Sequence, residues 1–542
     1  MIKRLLSLSL CVIMLFLLSA CGGRGAEANL VFPIDSDPGY LDPQVVSDVG
    51  AKNIVANCFE GLVTLDKDGE LAPGCAESWS VSPDGLTYTF ILNKACKWLP
   101  LNASSDFLGE NYKESFDTRV TAHDFVFGLR RAVLPETQSP GAKNLFSIEN
   151  AQLVNEGKLP VEALGVTAID DYTLTIKLTR ADPDFLYVLL EPQCMPCNQY
   201  FFEETGGRYG LSMRFLMYNG PFYLLNWVDD YSLEIKINHE YYNYKNVKPY
   251  TVYYSINSEQ DTRLDKITEE IYDVAPLTST QAEELESKHG YTIKDFESGL
   301  FCLAFNCKDK TLSNLNIRKA IAYSFDYESL YRVLGEGTSK GIIPSAMIHS
   351  GTKYRDIAGP MTITKTADAK ECFEAGLKQL DEDSVSVTVL CTEEQEAAVR
   401  SVMQTWQSTL GVKFNVFVEI ASAAEIDNMM NTDGDWQIAL TDISFPNLTA
   451  FNGLLQFTSG NSANVFGYAD KKYDNLVSKI KVASDADDSF NATKKAEQYL
   501  LDSCTLIPLY DYPSYYGIGK NVNNIIFNTT GDILYFKYTT VT

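Results

Sequence analysis

Residues 385–418 restrict the fold more than any other stretch of this 542-residue chain. Val385, Val387 and Val389 alternate at the two-residue period of a strand. Thr392 and Gln395 follow at positions that can cap a helix. Ala398, Val399, Val402, Met403, Trp406 and Leu410 then recur at helical spacing, and Gly411 stops the helix. Val412, Phe414, Val416 and Val418 alternate again. Such a strand–helix–strand unit predicts two parallel strands joined by a right-handed crossover, so the chain is mixed α/β.

Antiparallel hairpins surround this unit. Trp79-Ser80-Val81 runs into the turn Pro83-Asp84-Gly85 and the strand Thr87 to Leu92. Asp170-Asp171 precedes a strand whose Leu174, Ile176 and Leu178 share one face. Asp229-Asp230 separates Tyr223-Leu224-Leu225 from Leu233, Ile235 and Ile237, again at period two. Thr121-Ala122-His123-Asp124 predicts a capping box opening a helix through Arg131, which makes His123 a first-turn residue and no ligand.

The first twenty residues have another purpose. Lys3 and Arg4 precede an apolar run from Leu5 to Ala20, too short to span a membrane comfortably and flanked like an export signal. The run ends on Leu18-Ser19-Ala20-Cys21, which resembles a bacterial lipobox. Cleavage before Cys21 would let its thiol carry a diacylglycerol, and stable anchoring needs more than one acyl chain. Residues 22–27 read as a flexible tether.

Forty-five basic against 71 acidic residues give a net charge of -26, which excludes a general nucleic-acid binder. Of twelve cysteines, Cys11 leaves with the signal and Cys21 takes lipid, and the rest are scattered. Cys194 and Cys197 form the one CxxC pair. Two buried thiols at a strand end, a local disulfide, and a redox or zinc site all stay open for them.

The order of short motifs along the chain is more specific. Leu41-Asp42-Pro43 is followed by Phe59-Glu60-Gly61-Leu62-Val63, then by Leu71-Ala72-Pro73-Gly74-Cys75-Ala76-Glu77-Ser78-Trp79. Thr87-Tyr88-Thr89-Phe90, Lys97-Trp98, Asn219-Gly220-Pro221-Phe222, Ile317-Arg318-Lys319-Ala320, Tyr473-Asp474-Asn475-Leu476 and Ile507-Pro508-Leu509-Tyr510 come in turn. This string resembles the family 5 extracellular solute-binding proteins, the peptide- and nickel-binding type, over nearly the whole mature chain. A polar insertion, Leu99 to Val120, departs from the family's short turn and is expected on the surface of the middle domain.

The resemblance implies a periplasmic-binding-protein-like, two-lobed clamp with an extra domain in its N-terminal half, three discontinuous domains in all. The expected boundaries are 1–20 for the signal and 21–30 for anchor and tether. Lobe I is expected at 31–58, 219–298 and 511–542, domain II at 59–218, and lobe III at 299–510. Strand crossovers near Ser298 and Pro508 form the hinge. The implied partners are an oligopeptide ligand, the permease subunits of an ABC importer and the membrane through the lipid, with a monomeric protein and no nucleic acid. No cofactor or metal is expected, and no catalysis.

In the family an Asp within Trp-x-x-Asp-Tyr-x-Asp-Pro holds the peptide α-ammonium. Here the stretch runs from Trp436 to Pro446. An ungapped count back from Phe457-Thr458-Ser459-Gly460-Asn461 puts Pro446 at the Asp position and Ile443 at the Trp. Asp442 falls four residues early. It takes over the anchor if the loop is rebuilt; otherwise the anchor is lost, or Asp442 caps a turn. The implied ligand-binding residues are Asp442, Ile443, Ser444, Pro446 and Val49.

Other readings keep the same fold with an oligosaccharide or metal-chelate ligand, or use it as a ligand sensor. Gly337-Thr338-Ser339-Lys340-Gly341 matches the hydrolase pattern G-x-S-x-G, with His349 as the downstream histidine. A helix-like segment from Tyr323 to Leu334 precedes it, and a nucleophile elbow requires the opposite order, strand then helix.

Overall fold

The computed structural model describes residues 29–542, leaving out 100–115, 183, 335–339, 433–434, 446–448, 462, 481–482, 484 and 529. The signal run and Cys21 therefore lie outside the described residues, as do most of the Leu99–Val120 insertion, Ser339 and Pro446. The insertion's ends are held: Lys97 bridges to Arg119, and Leu99 to Tyr218.

Strand β1 (Asn29–Pro33) leads to helix α1 (Val49–Cys58). The Asp48 carboxylate caps α1 by accepting from the Ala51 N–H at 2.9 Å. Asn53 and Asn57, one turn apart, clamp the C-terminal tail with paired bonds. Their side-chain amides donate to Asp532 and Leu534 carbonyls at 2.8 Å, and their oxygens accept from Leu534 and Phe536 N–H groups.

Next come β2 (Ala76–Val81), β3 (Thr87–Leu92), α2 (Ala122–Val133), β4 (Val166–Asp170) and β5 (Thr173–Lys177). The expected capping box opens α2, with Asp124 accepting from the Thr121 N–H at 2.7 Å. The four strands form one antiparallel sheet in the order β2-β3-β5-β4. A second sheet joins β6 (Phe222–Val228), β7 (Ser232–Ile237) and β8 (Thr251–Ser255) to β1, in the order β1-β8-β7-β6. Both sheets feed one apolar core. It includes Leu30, Phe90, Leu174, Leu224 and Ile235, and Leu534 and Phe536 from the tail.

Besides several two-stranded ribbons, six strands follow: β9 (Val274–Leu277), β10 (Thr292–Phe305), β11 (Val385–Cys391), β12 (Phe414–Ile420), β13 (Ile438–Ser444) and β14 (Leu506–Ile518). They form a single sheet in the order β9-β14-β10-β13-β11-β12. Alternate residues of β10 enter different cores. Phe301, Leu303 and Phe305 join Val387 and Trp406, whereas Leu300, Cys302 and Ala304 join Ala439 and Leu506. A strand covered on both faces reads as an unbroken apolar run, which is what Leu300 to Phe305 shows.

The β11–helix–β12 unit is parallel, with Val385 opposite Phe414. Two details differ from expectation. Val412 is 96% exposed, because the turn at Gly411 holds it off the sheet and the strand starts at Phe414. Gln395 starts the helix without a side-chain cap bond, its oxygen accepting instead from the Thr392 N–H at 3.0 Å. The segment Tyr323 to Leu334 is two helices, Leu315–Tyr323 and Tyr327–Leu334. Ser324 turns its hydroxyl back to the Ala320 carbonyl, and the Asp326 carboxylate receives the Ser329 N–H of the next turn.

Candidate ligand site between the lobes

A cavity of about 830 Å³ opens between the two bodies. One wall comes from the N-terminal body: Val46, Ser47 and Lys52 around the start of α1, then residues 138–144, Glu191 and Gln193. The other comes from the β10–β14 body. It comprises Thr441 to Ser444 of β13, Leu455, and Asp427, Met430 and Asn431 of helix α3 (Ala423–Asn431).

The edge of β13 is the geometric feature of this wall. It pairs with β10 along its whole length, from Ile438–Phe305 to Ser444–Gly299. On its other side it pairs with β11 only at Ile438 and Ala439. Leu440 to Ser444 therefore present a strand edge without a strand partner among the described residues, and four of these five residues line the cavity. Half of the main-chain donors and acceptors on such an edge point away from the paired neighbour.

Asp442 lies within β13, opposite Phe301. That overturns the turn-capping reading, since the residue is part of a ladder. Its side chain is open to the cleft, yet protein atoms crowd around it. Desolvation holds its carboxyl above the ordinary value, and Asp427 adds to the rise. No cation offsets it. Ile443 and Ser444 line the cavity as expected. Val49 does not: it is the first residue of α1, 45% exposed, and its neighbours Val46, Ser47 and Lys52 reach the cavity instead.

Sequence reasoning missed Lys52, Lys143, Glu191, Gln193 and Asp427, which no motif marks and only tertiary packing brings together. Glu191 is 8% exposed, and burial pushes its carboxyl up to about 7.

The other candidates have structural positions. Cys194 and Cys197 are buried free thiols with different partners, in a 3-10 turn and beyond it, not at a strand end. Cys194 donates to the Val188 carbonyl, and Cys197 accepts from Arg131 at 3.4 Å. His349 is 3% exposed between the rings of Tyr354 and Phe490. His123 is an exposed first-turn residue, 3.7 Å from Asp171.

The model of the bacterial extracellular solute-binding proteins, family 5 Middle, matches residues 70–464. The dipeptide-binding protein DppE of Bacillus subtilis (strain 168) is 27% identical over 513 residues, which cover 92% of this chain and 89% of that protein. The substrate-binding domain of an oligopeptide ABC transporter from Bacillus anthracis str. Ames superposes with a TM-score of 0.74 at 27% identity, over 96% of this chain and 99% of that one. Listeria monocytogenes OppA bound to peptide gives 0.74 at 25% identity, over 96% and 100%.

Proposed function

Because the chain belongs to the bacterial extracellular solute-binding proteins of family 5, we propose that it captures oligopeptides between its lobes and delivers them to an ABC importer. The observation that carries this reading is the bare edge of β13 in the cavity wall. An extended peptide added to that edge gains main-chain hydrogen bonds whatever its side chains, which suits a ligand class of many sequences. Sugars would not use a strand edge in this way.

Within this reading Asp442, Ile443 and Ser444 are the ligand-facing residues, and Asp442 receives the α-ammonium. The three-domain boundaries set out from the sequence stand as part of the proposal, with residues 1–20 removed, Cys21 lipidated and the protein held outside the membrane as a monomer. Family members are solute-binding transport proteins, and we assign this chain no catalysis. No described helix is long and apolar enough to cross a membrane.

The test uses one peptide, free and N-acetylated, against wild type and Asp442→Asn by calorimetry. If the carboxylate holds the ammonium in the closed cleft, acetylation and the substitution each weaken binding by about 2–5 kcal/mol. Their combination weakens it little further. The raised carboxyl sets the pH sign. As pH falls through its value Asp442 takes up a proton, so affinity for the free peptide drops there and affinity for the acetylated one does not. Equal affinities in all four pairings would remove Asp442 from the site.

A further inference from the structure

A hairpin of the β10–β14 body reaches across to the N-terminal body. Ile348–His349 pairs with Thr352–Lys353, and the turn between them is Ser350-Gly351. Both turn residues have positive φ, 52° and 74°, the backbone of a two-residue hairpin turn. Their N–H groups lie outside the short ladder. The hairpin is fixed to its own body: Ile348 bridges to Thr449, and His349 lies between the rings of Tyr354 and Phe490.

Its tip is held by the other body. The Gly351 N–H donates to the Asp184 carboxylate at 2.9 Å, and Ile348 is buried in the apolar core of the N-terminal body. Asp184 is 6% exposed. Burial, and then Asp182, raise its carboxyl, while the Ser350 and Gly351 N–H groups and His349 pull it back. Those three pulls all come from the hairpin. Within its own body the carboxylate has no hydrogen-bond donor among the described residues, and it precedes the helix Phe185–Val188 without a side-chain cap. A carboxylate so buried is costly to leave without donors, so parting the lobes sacrifices a contact that only the closed form makes. A small cavity lined by Asp184 and His349 shares Asn144 and Asn452 with the ligand cavity, so the contact lies on the cleft. Asp184 itself is not in the ligand cavity's wall.

We propose that Asp184 and the hairpin 348–353 form a clasp that holds the lobes closed over the ligand and sets how long it stays. This rests on the reading of a peptide held between the lobes. It adds that part of the affinity belongs to the protein alone and is the same for every peptide sequence. Asp184 is a positioning residue in this account, acting through closure and not through the ligand.

The test measures tetra-alanine and tetra-serine against wild type and Asp184→Ala, with calorimetry for affinity and stopped flow for rates. Asp184→Ala is expected to weaken both peptides by the same factor, about tenfold, through faster dissociation at an unchanged association rate. Asp184→Asn keeps the shape and should shift both in the same direction by less, with the melting temperature of the peptide-free protein unchanged. Unchanged affinities, or a loss confined to one peptide, would overturn the clasp while peptide binding stands. Hydrogen exchange at Ser350 and Gly351 reads the clasp without any ligand. Faster exchange there in Asp184→Ala supports it, and equal exchange refutes it. If neither peptide binds wild type, the peptide reading fails, and the exchange result decides the clasp by itself.

Discussion

Glu191 lines the cavity with its carboxyl pushed up to about 7 by burial, against the pull of Lys52 and with a further push from Asp532. In the unfolded chain such a group titrates near its ordinary value, about 4.3. The folded state therefore holds the proton more tightly than the unfolded state does. Its contribution to stability is complete below the ordinary value, fades as pH rises to about 7, and changes no further above that. Glu191→Gln should remove this dependence. At pH 8 the variant is expected to be more stable than wild type by up to about 3 kcal/mol, and at pH 4 to match it. Thermal unfolding of both proteins across that range checks this, and parallel curves would refute it. A sequence gives no such group away. Glu191 and Asp532 are far apart along the chain, and nothing in the residues around either predicts a shared field.

Among the elements, the ribbon of β10 and β14 decides how the two bodies meet. It runs from β9 on one side to β13 on the other, and its ladder is interrupted between Phe296 and Gly299 and again between Phe301 and Cys302. The first break lies at the expected hinge residue Ser298, whose hydroxyl is 3.0 Å from that of Ser514. At the second, Leu509 is the extra residue, next to Pro508. Gly299 sits between strands on both sides, and a Cβ there would lie 3.0 Å from the Tyr512 carbonyl oxygen and 3.3 Å from that of Ile443. Backbone oxygens cannot swing aside as a side chain can. Gly299→Val is expected to destabilise by about 1–3 kcal/mol, measured by urea unfolding, and an unchanged midpoint would show that the ribbon has slack. The sequence marked β11, β12 and the hairpins because their period is local. It marked the βαβ unit for the same reason. The bare edge of β13 was not legible, since it depends on β11 pairing no further than Ala439. Asp442 was found by counting along a motif, and its place in a strand was not.

On the scale of the molecule, the bodies already touch across the cleft. The Gly351 N–H donates to the Asp184 carboxylate at 2.9 Å, and the Arg180 guanidinium lies 5.9 Å from the centre of the Phe451 ring. One hydrogen bond to a charged group is worth about 1.5–3 kcal/mol at most, so these contacts hold a closed form only weakly. A ligand that bridges the walls adds contacts the open form lacks, and that difference is all it can contribute to closure. The separate cores matter here. Residues from Leu30 to Phe536 pack in one body and Phe301 to Leu509 in the other, with Ile348 of the second body buried in the first core, so each body can turn about the ribbon with that one apolar side chain as the main loss. Saturating peptide is therefore expected to reduce the radius of gyration and raise the melting temperature together. At a ligand concentration a hundredfold above Kd, the gain in stability is about 2.7 kcal/mol if the ligand binds only the folded chain. Small-angle scattering and calorimetry on the same sample measure the two effects. A stability gain without compaction would mean that the cleft is already closed before the ligand arrives.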